Sequence, residues 1–146
     1  MDQKWPQGRE RRNDSMMPRI DKGTIEYTLT VGKSIHRETH RECVRFCFET
    51  TEFFTHFQYR LSIDVEQSEQ ELRFNLLGLR TGGFTMPKAG KAEYEHDFFG
   101  LKGDYRVRVV KQGSTENEFL LRITPKTVRI VEEIRHPSPF IRIGTV

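Results

Sequence analysis

A period of two runs through residues 53–65. Phe53, Thr55, Phe57, Tyr59, Leu61, Ile63 and Val65 occupy every second position, and His56, Gln58, Arg60, Ser62 and Asp64 fill the gaps, with Phe54 the one apolar exception. That alternation buries one face of a β-strand and wets the other. At roughly 3.3 Å per residue the run would span about 40 Å, long enough to be the spine of a sheet.

Other segments repeat the pattern. Ile25, Tyr27, Leu29 and Val31 alternate with Thr24, Glu26, Thr28 and Thr30, and Val44, Phe46 and Phe48 alternate with Cys43, Arg45 and Cys47. Between them, residues 34–42 are polar and suit a long loop or one short helix. Pairing Phe48 with Phe53 sets Phe46 opposite Thr55 and Val44 opposite Phe57, which gathers the apolar side chains on one face. Across the polar residues 66–71, Leu72, Phe74 and Leu76 return against Val65, Ile63 and Leu61, and Asp64 meets Arg73. Tyr94, His96 and Phe98 match Val109, Val107 and Tyr105 across residues 100–103, with Glu95 opposite Arg108 and Asp97 opposite Arg106. Phe119, Leu121 and Ile123 lead through the turn residues 124–127 into Val128 and Ile130. The apolar end of residues 140–143 suits one more short strand.

About eight strands and no helical period predict an all-β chain: a single-domain antiparallel β-sandwich, or alternatively a small up-and-down β-barrel. The 146 residues are enough for one self-supporting core, and 11 of the aromatics are Phe, which adds bulk without a polar atom to satisfy. The expected organisation is a flexible basic tail (1–22), a β domain (23–134) and an extended C-terminal tail (135–146). The net charge of +3 sits in the tails: residues 1–22 carry six Lys and Arg against four Asp and Glu. The near-neutral body argues against a nucleic-acid-binding surface on the domain itself.

No apolar run approaches the roughly 18 residues that span a bilayer, so no membrane partner is expected. Two cysteines fit a reducing, cytoplasmic setting. On one strand Cys43 and Cys47 would lie about 13 Å apart, too far for a disulfide.

Three features bear on chemistry. His36, His40, Cys43 and Cys47 place four zinc-type ligands within twelve residues, but a strand separates the two cysteines and the usual close cysteine pair is absent. Arg106, Arg122 and Arg129 fall in one row across three neighbouring outer faces, a candidate anion site with Asp97 at one end. Residues 80–91 form a glycine-rich connection of the kind that carries function. They are not a phosphate loop: six residues separate Gly83 from Gly90, and Ala92 stands where a magnesium-binding hydroxyl would be needed. His96 is read as a hydrogen-bonded histidine on the inner face.

The sequence therefore points first to a non-enzymatic β-sandwich binding module. Its partner would be a protein, a second copy of the chain included, engaged through a sheet edge or residues 140–143. The second reading is a binder of an anionic ligand or nucleic acid through the arginine row and basic tails. The third is a small-molecule or metal-dependent enzyme using residues 80–91 or the histidine–cysteine group. No motif implies a cofactor.

Overall fold

The computed structural model describes residues 25–55, 59–81, 90–111, 115–134 and 138–146. The basic tail of residues 1–22 and most of the 80–91 connection lie outside the described residues. The chain is all-β, with β1 (Tyr27–Ile35), β2 (Glu42–Thr50), β3 (Tyr59–Ser68), β4 (Glu71–Thr81), β5 (Glu93–Phe98), β6 (Gly103–Lys111), β7 (Thr115–Ile123), β8 (Val128–Ile134) and β9 (Ile141–Thr145). The ninth strand is the short C-terminal one that residues 140–143 suggested.

The hydrogen-bonded order is β8-β7-β6-β4-β3-β5-β2-β1-β9. Within it, β3 and β5 share one register pair, Arg60 with Glu93. The sheet therefore behaves as two halves, β8-β7-β6-β4-β3 and β5-β2-β1-β9, joined at a corner. They face each other across rings: Phe74 of β4 lies 5.2 Å from Phe46, 4.9 Å from Phe48 and 6.1 Å from Phe98. At the opposite side β8 and β9 touch, so the molecule is a sandwich nearly curled into a barrel. Three neighbouring pairs, β1/β9, β3/β5 and β4/β6, run parallel, where the alternation alone suggested an antiparallel meander.

Most inner faces are as the alternation reads them, but Phe53 is 57% exposed while Phe54, the exception to the pattern, packs against Tyr59 and the core, and two strand partners differ. β2 pairs with β1 and β5, with Phe48 opposite Leu29 and Tyr94, and not with residues 53–57. The period-two run breaks where Phe54 interrupts it. Thr50 stays in β2, its hydroxyl buried against the Ala92 N–H at 2.9 Å, while Phe54 forms a lone bridge to Gly90. β3 begins at Tyr59, and residues 56–58 lie outside the described residues. Likewise β5 does not return against β6. Gly100 and Gly103, at φ 76° and 96°, carry the chain across to the other half, where β6 joins β4 and β7. Each alternative was possible because an apolar period of two matches any neighbour with the same period.

The β3–β4 hairpin forms with its register two residues from the expected one: Val65 meets Phe74, Ile63 meets Leu76 and Glu66 meets Arg73. A slip of two preserves the buried face, which is why the pattern did not distinguish the registers. A bulge follows, with Leu77 the extra residue and Gly78 at φ 128°. Beyond it, Arg80 lies opposite Arg60. The β6–β7–β8 meander forms in the expected order, with Arg106 opposite Leu120 and not Arg122, and is closed by Thr124 and Thr127, whose hydroxyls lie 2.9 Å apart. Residues 34–42 complete β1 and form a tight hairpin turn without a helix.

A buried polar side chain fixes the last strand. Asn117 is 3% exposed and faces inward from β7. Its Oδ1 accepts the Phe140 and Ile141 N–H groups at 2.9 and 3.3 Å, and its Nδ2 donates to the Ser138 carbonyl. This holds Phe140, Ile141 and Ile143 in the core beside β1. Asn117→Leu keeps the branched shape of the side chain and orphans two buried N–H donors. The expected loss is about 2–3 kcal/mol, seen as a melting temperature roughly 6–12 °C lower by thermal circular dichroism.

Candidate functional site

The outer face of β2 and β5 carries a neutralised charge network. Alternation turns Val44, Phe46 and Phe48 inward and leaves Cys43, Arg45 and Cys47 on the other face. Arg45 is the register partner of Asp97 and grips it with two bonds, Nε to Oδ1 at 2.8 Å and Nη2 to Oδ2 at 3.0 Å. Asp97 also accepts from His36 Nδ1 at 2.8 Å. The His36 ring packs edge-on against Phe99, over which the Arg41 guanidinium sits at 4.5 Å. Asp97, 11% exposed, thus ties the β1–β2 hairpin to β5. The Arg45 hydrogen bonds, with that of His36, hold its carboxyl well below the usual range, against the opposing effect of burial.

The four residues with zinc-type side chains gather in this neighbourhood but do not share a centre. His36 is engaged by Asp97, His40 sits on the exposed turn at φ 59°, and Cys43 is buried. Cys47 Sγ reaches Glu95 Oε2 at 3.7 Å. Burial first, then nearby carboxylates, raises both thiols, Cys47 to about 11. Protonated thiols are poor nucleophiles and poor metal ligands. Among the described residues no group of three His, Cys, Asp or Glu side chains could hold a metal ion. His96 packs on Phe98, with ring centroids 4.5 Å apart, and its Nδ1 lies 3.2 Å from the Tyr94 hydroxyl.

The arginine row is only partly assembled. Arg122 and Arg129 are directly opposite across β7 and β8, whereas Arg106 is opposite Leu120, one step along. Arg106 pairs with Glu118 at 3.0 Å and Arg122 pairs with Asp104 at 2.8 Å. Asp97, expected at the end of the row, lies on the other half of the sheet with Arg45.

A second basic site lies at the corner where the halves meet. Past the Arg60–Glu93 pair, β3 and β5 diverge, and a cleft of about 540 Å³ opens between them. Its walls include Tyr59, Tyr94, Arg60, Arg80 and Lys91, with Arg37 and the Glu93 and Glu95 side chains at the rim. Arg37 is taken by Glu95 at 3.1 Å and Lys91 by Glu49 at 3.8 Å. Arg60 and Arg80 face each other in register and form no ion pair among the described residues. The sequence signal for this pair was present but displaced, because the two-residue slip of the hairpin and the bulge at Leu77 together bring Arg80 level with Arg60. Arg80 and Lys91 are the two ends of the 80–91 connection, whose residues 82–89 lie outside the described residues. No protein-family model, no curated protein and no solved structure matches this chain.

Two outcomes follow from the charge network. Because Asp97 ionises more readily folded than unfolded, its contribution to stability is full above the unfolded carboxyl value near 3.9 and is lost as pH falls below it. Asp97→Asn should cost about 2–3 kcal/mol at pH 7 and flatten that acid limb, measured by urea unfolding from pH 2 to 7. Cys47, raised to about 11, should react with iodoacetamide at pH 8 on the order of 100-fold more slowly than a free thiol. Its rate should rise about tenfold per pH unit, followed by mass spectrometry.

Proposed function

We propose that this chain is a binding module whose corner cleft receives an anionic group of its partner. The observation that carries the reading is the arginine pair: Arg60 and Arg80 are directly opposed across β3 and β4 without an ion-pair partner among the described residues. Like charges placed this way destabilise a sheet, whereas an anion between them gains charge-assisted hydrogen bonds from two planar guanidinium groups. The cleft, at about 540 Å³, is within the usual size of a ligand site, and its polar walls favour a charged occupant over an apolar one.

The same comparison ranks the arginine sites. Arg106 and Arg122 already hold carboxylates, so less of their charge is available to an anion. An enzymatic role for the histidine–cysteine group has less support, because both thiols are raised and His36 is committed to Asp97. Free cysteines support a reducing compartment, and we assign the module to the cytoplasm. Among the described residues no helix is long and apolar enough to cross a membrane.

The test compares two variants with the same change in charge, using a fluorescein-labelled heparin hexasaccharide as the anionic probe. Arg60→Glu with Arg80→Glu should weaken binding about tenfold more than Arg106→Glu with Arg129→Glu, by fluorescence anisotropy at low salt. Equal losses, or a larger loss in the second variant, overturn the assignment to the corner cleft.

A further inference from the structure

The corner that forms the cleft also leaves two strand edges open. β3 pairs with β4 along its whole length, from Tyr59 opposite Thr81 to Ser68 opposite Glu71. On its other side it has the single Arg60–Glu93 pair, so its edge from Leu61 to Ser68 has no strand partner among the described residues. β5 is paired with β2 from Phe98 opposite Val44 to Glu93 opposite Glu49, and its β3 side has no strand partner beyond Glu93 among the described residues. An unpaired edge presents a row of N–H and C=O groups to any extended chain. β3 carries no proline, the residue that most simply blocks such an edge.

We infer that the partner is an extended peptide that adds to the free edge of β3 as a further strand, with an acidic side chain at Arg60 and Arg80. This rests on the anion-binding reading above and adds the class of partner. Charge complementarity and the incomplete burial of the edge support it. Ile63 and Val65 are only half-buried beside the core cluster, and an added strand with apolar residues at alternate positions would cover them. On the opposite face, Arg60 and Arg80 mark one end and exposed Asp64 lies four residues along, forming no ion pair among the described residues. Residues four apart on a strand share a face. Glu93 holds the place beside Arg60, so the matching peptide carries its acid opposite Ser62, diagonal to Arg60 on the same face, its base opposite Asp64, and apolar residues opposite Ile63 and Val65. β3 and β5 run in the same direction, so one strand placed between them can be antiparallel to both. The antiparallel order, read from the peptide's N-terminus, is Thr-Val-Lys-Val-Glu, lying opposite Glu66 to Ser62 within the free edge.

The probe is that five-residue core flanked by serines, capped at both ends and labelled with fluorescein. The full chain should bind it, and Arg60→Glu with Arg80→Glu should weaken it at least tenfold. Methylating alternate backbone nitrogens of the peptide, in each of the two phases, removes edge hydrogen bonds and leaves its charges in place. At least one phase should bind tenfold or more weakly, and the unmodified peptide should slow amide hydrogen exchange along residues 62–68. Equal binding by both methylated peptides, with no new amide protection, overturns strand addition. So does failure of the peptide to bind while the heparin probe still depends on Arg60 and Arg80, and in both cases the anion site itself survives. Loss of that heparin dependence overturns the site and the peptide together.

Discussion

The sandwich depends on one ring. Phe74, fully buried on β4, touches Phe46, Phe48 and Phe98 of the opposite half, at centroid separations of 4.9–6.1 Å. Among the described residues β3 and β5 share a single register pair, so backbone hydrogen bonding at that corner contributes little to keeping the halves together. Burial must do it instead. A fully buried Phe contributes about 1.5–3 kcal/mol relative to an exposed one, and four interlocked rings supply several times that. The tilted and edge-on geometries suit the ring quadrupoles, which adds further stabilisation to the contact.

Holding the halves by side chains leaves their rims free to differ. At one rim β8 and β9 approach; at the other β3 and β5 splay apart. Polar groups follow that division. Arg45, Asp97 and His36 satisfy one another on the closed face and fix the β1–β2 hairpin. Arg60 and Arg80 stand at the open rim and form no ion pair among the described residues. A partly buried, bidentate pair is what architecture needs, and an unpaired, concave one is what recognition needs. The same residue type stands in both surroundings here.

Much of this was legible residue by residue. Period-two alternation identified Phe46, Phe48, Phe74, Val107 and Leu121 as inner-face residues, and all are buried. The β6–β7–β8 meander was legible because its turns are local and carry their own chemistry. Neighbours distant in sequence were not. The face of Val44, Phe46 and Phe48 fits residues 53–57, β1 or β5 equally well by pattern, and only packing chooses among them. Apparent charge agreement was equally permissive: Glu95 suits Arg108 in principle and takes Arg37 in the fold. The corner cleft was hidden by the two-residue slip of the β3–β4 hairpin and by one inserted residue, Leu77, which together bring Arg80 to Arg60. Asn117 left a readable trace, a polar residue in step with Phe119, Leu121 and Ile123 on an inner face.

The parallel pairing of β1 with β9 sets an order of events during synthesis. Tyr27 lies beside Ile141, more than 100 residues later in the chain. At ribosomal speeds of roughly 5–20 residues per second, β1 emerges on the order of ten seconds before the strand that covers its edge. Through that interval a nascent chain can build the β1–β2 hairpin and the β6–β7–β8 meander, but it carries β1 with one side uncovered. Thr28 and Thr30 on the outward face of β1, with Lys33 further along, keep that waiting edge polar. Emergence of β9, and not the appearance of any single hairpin, is then the step that covers the edge of β1.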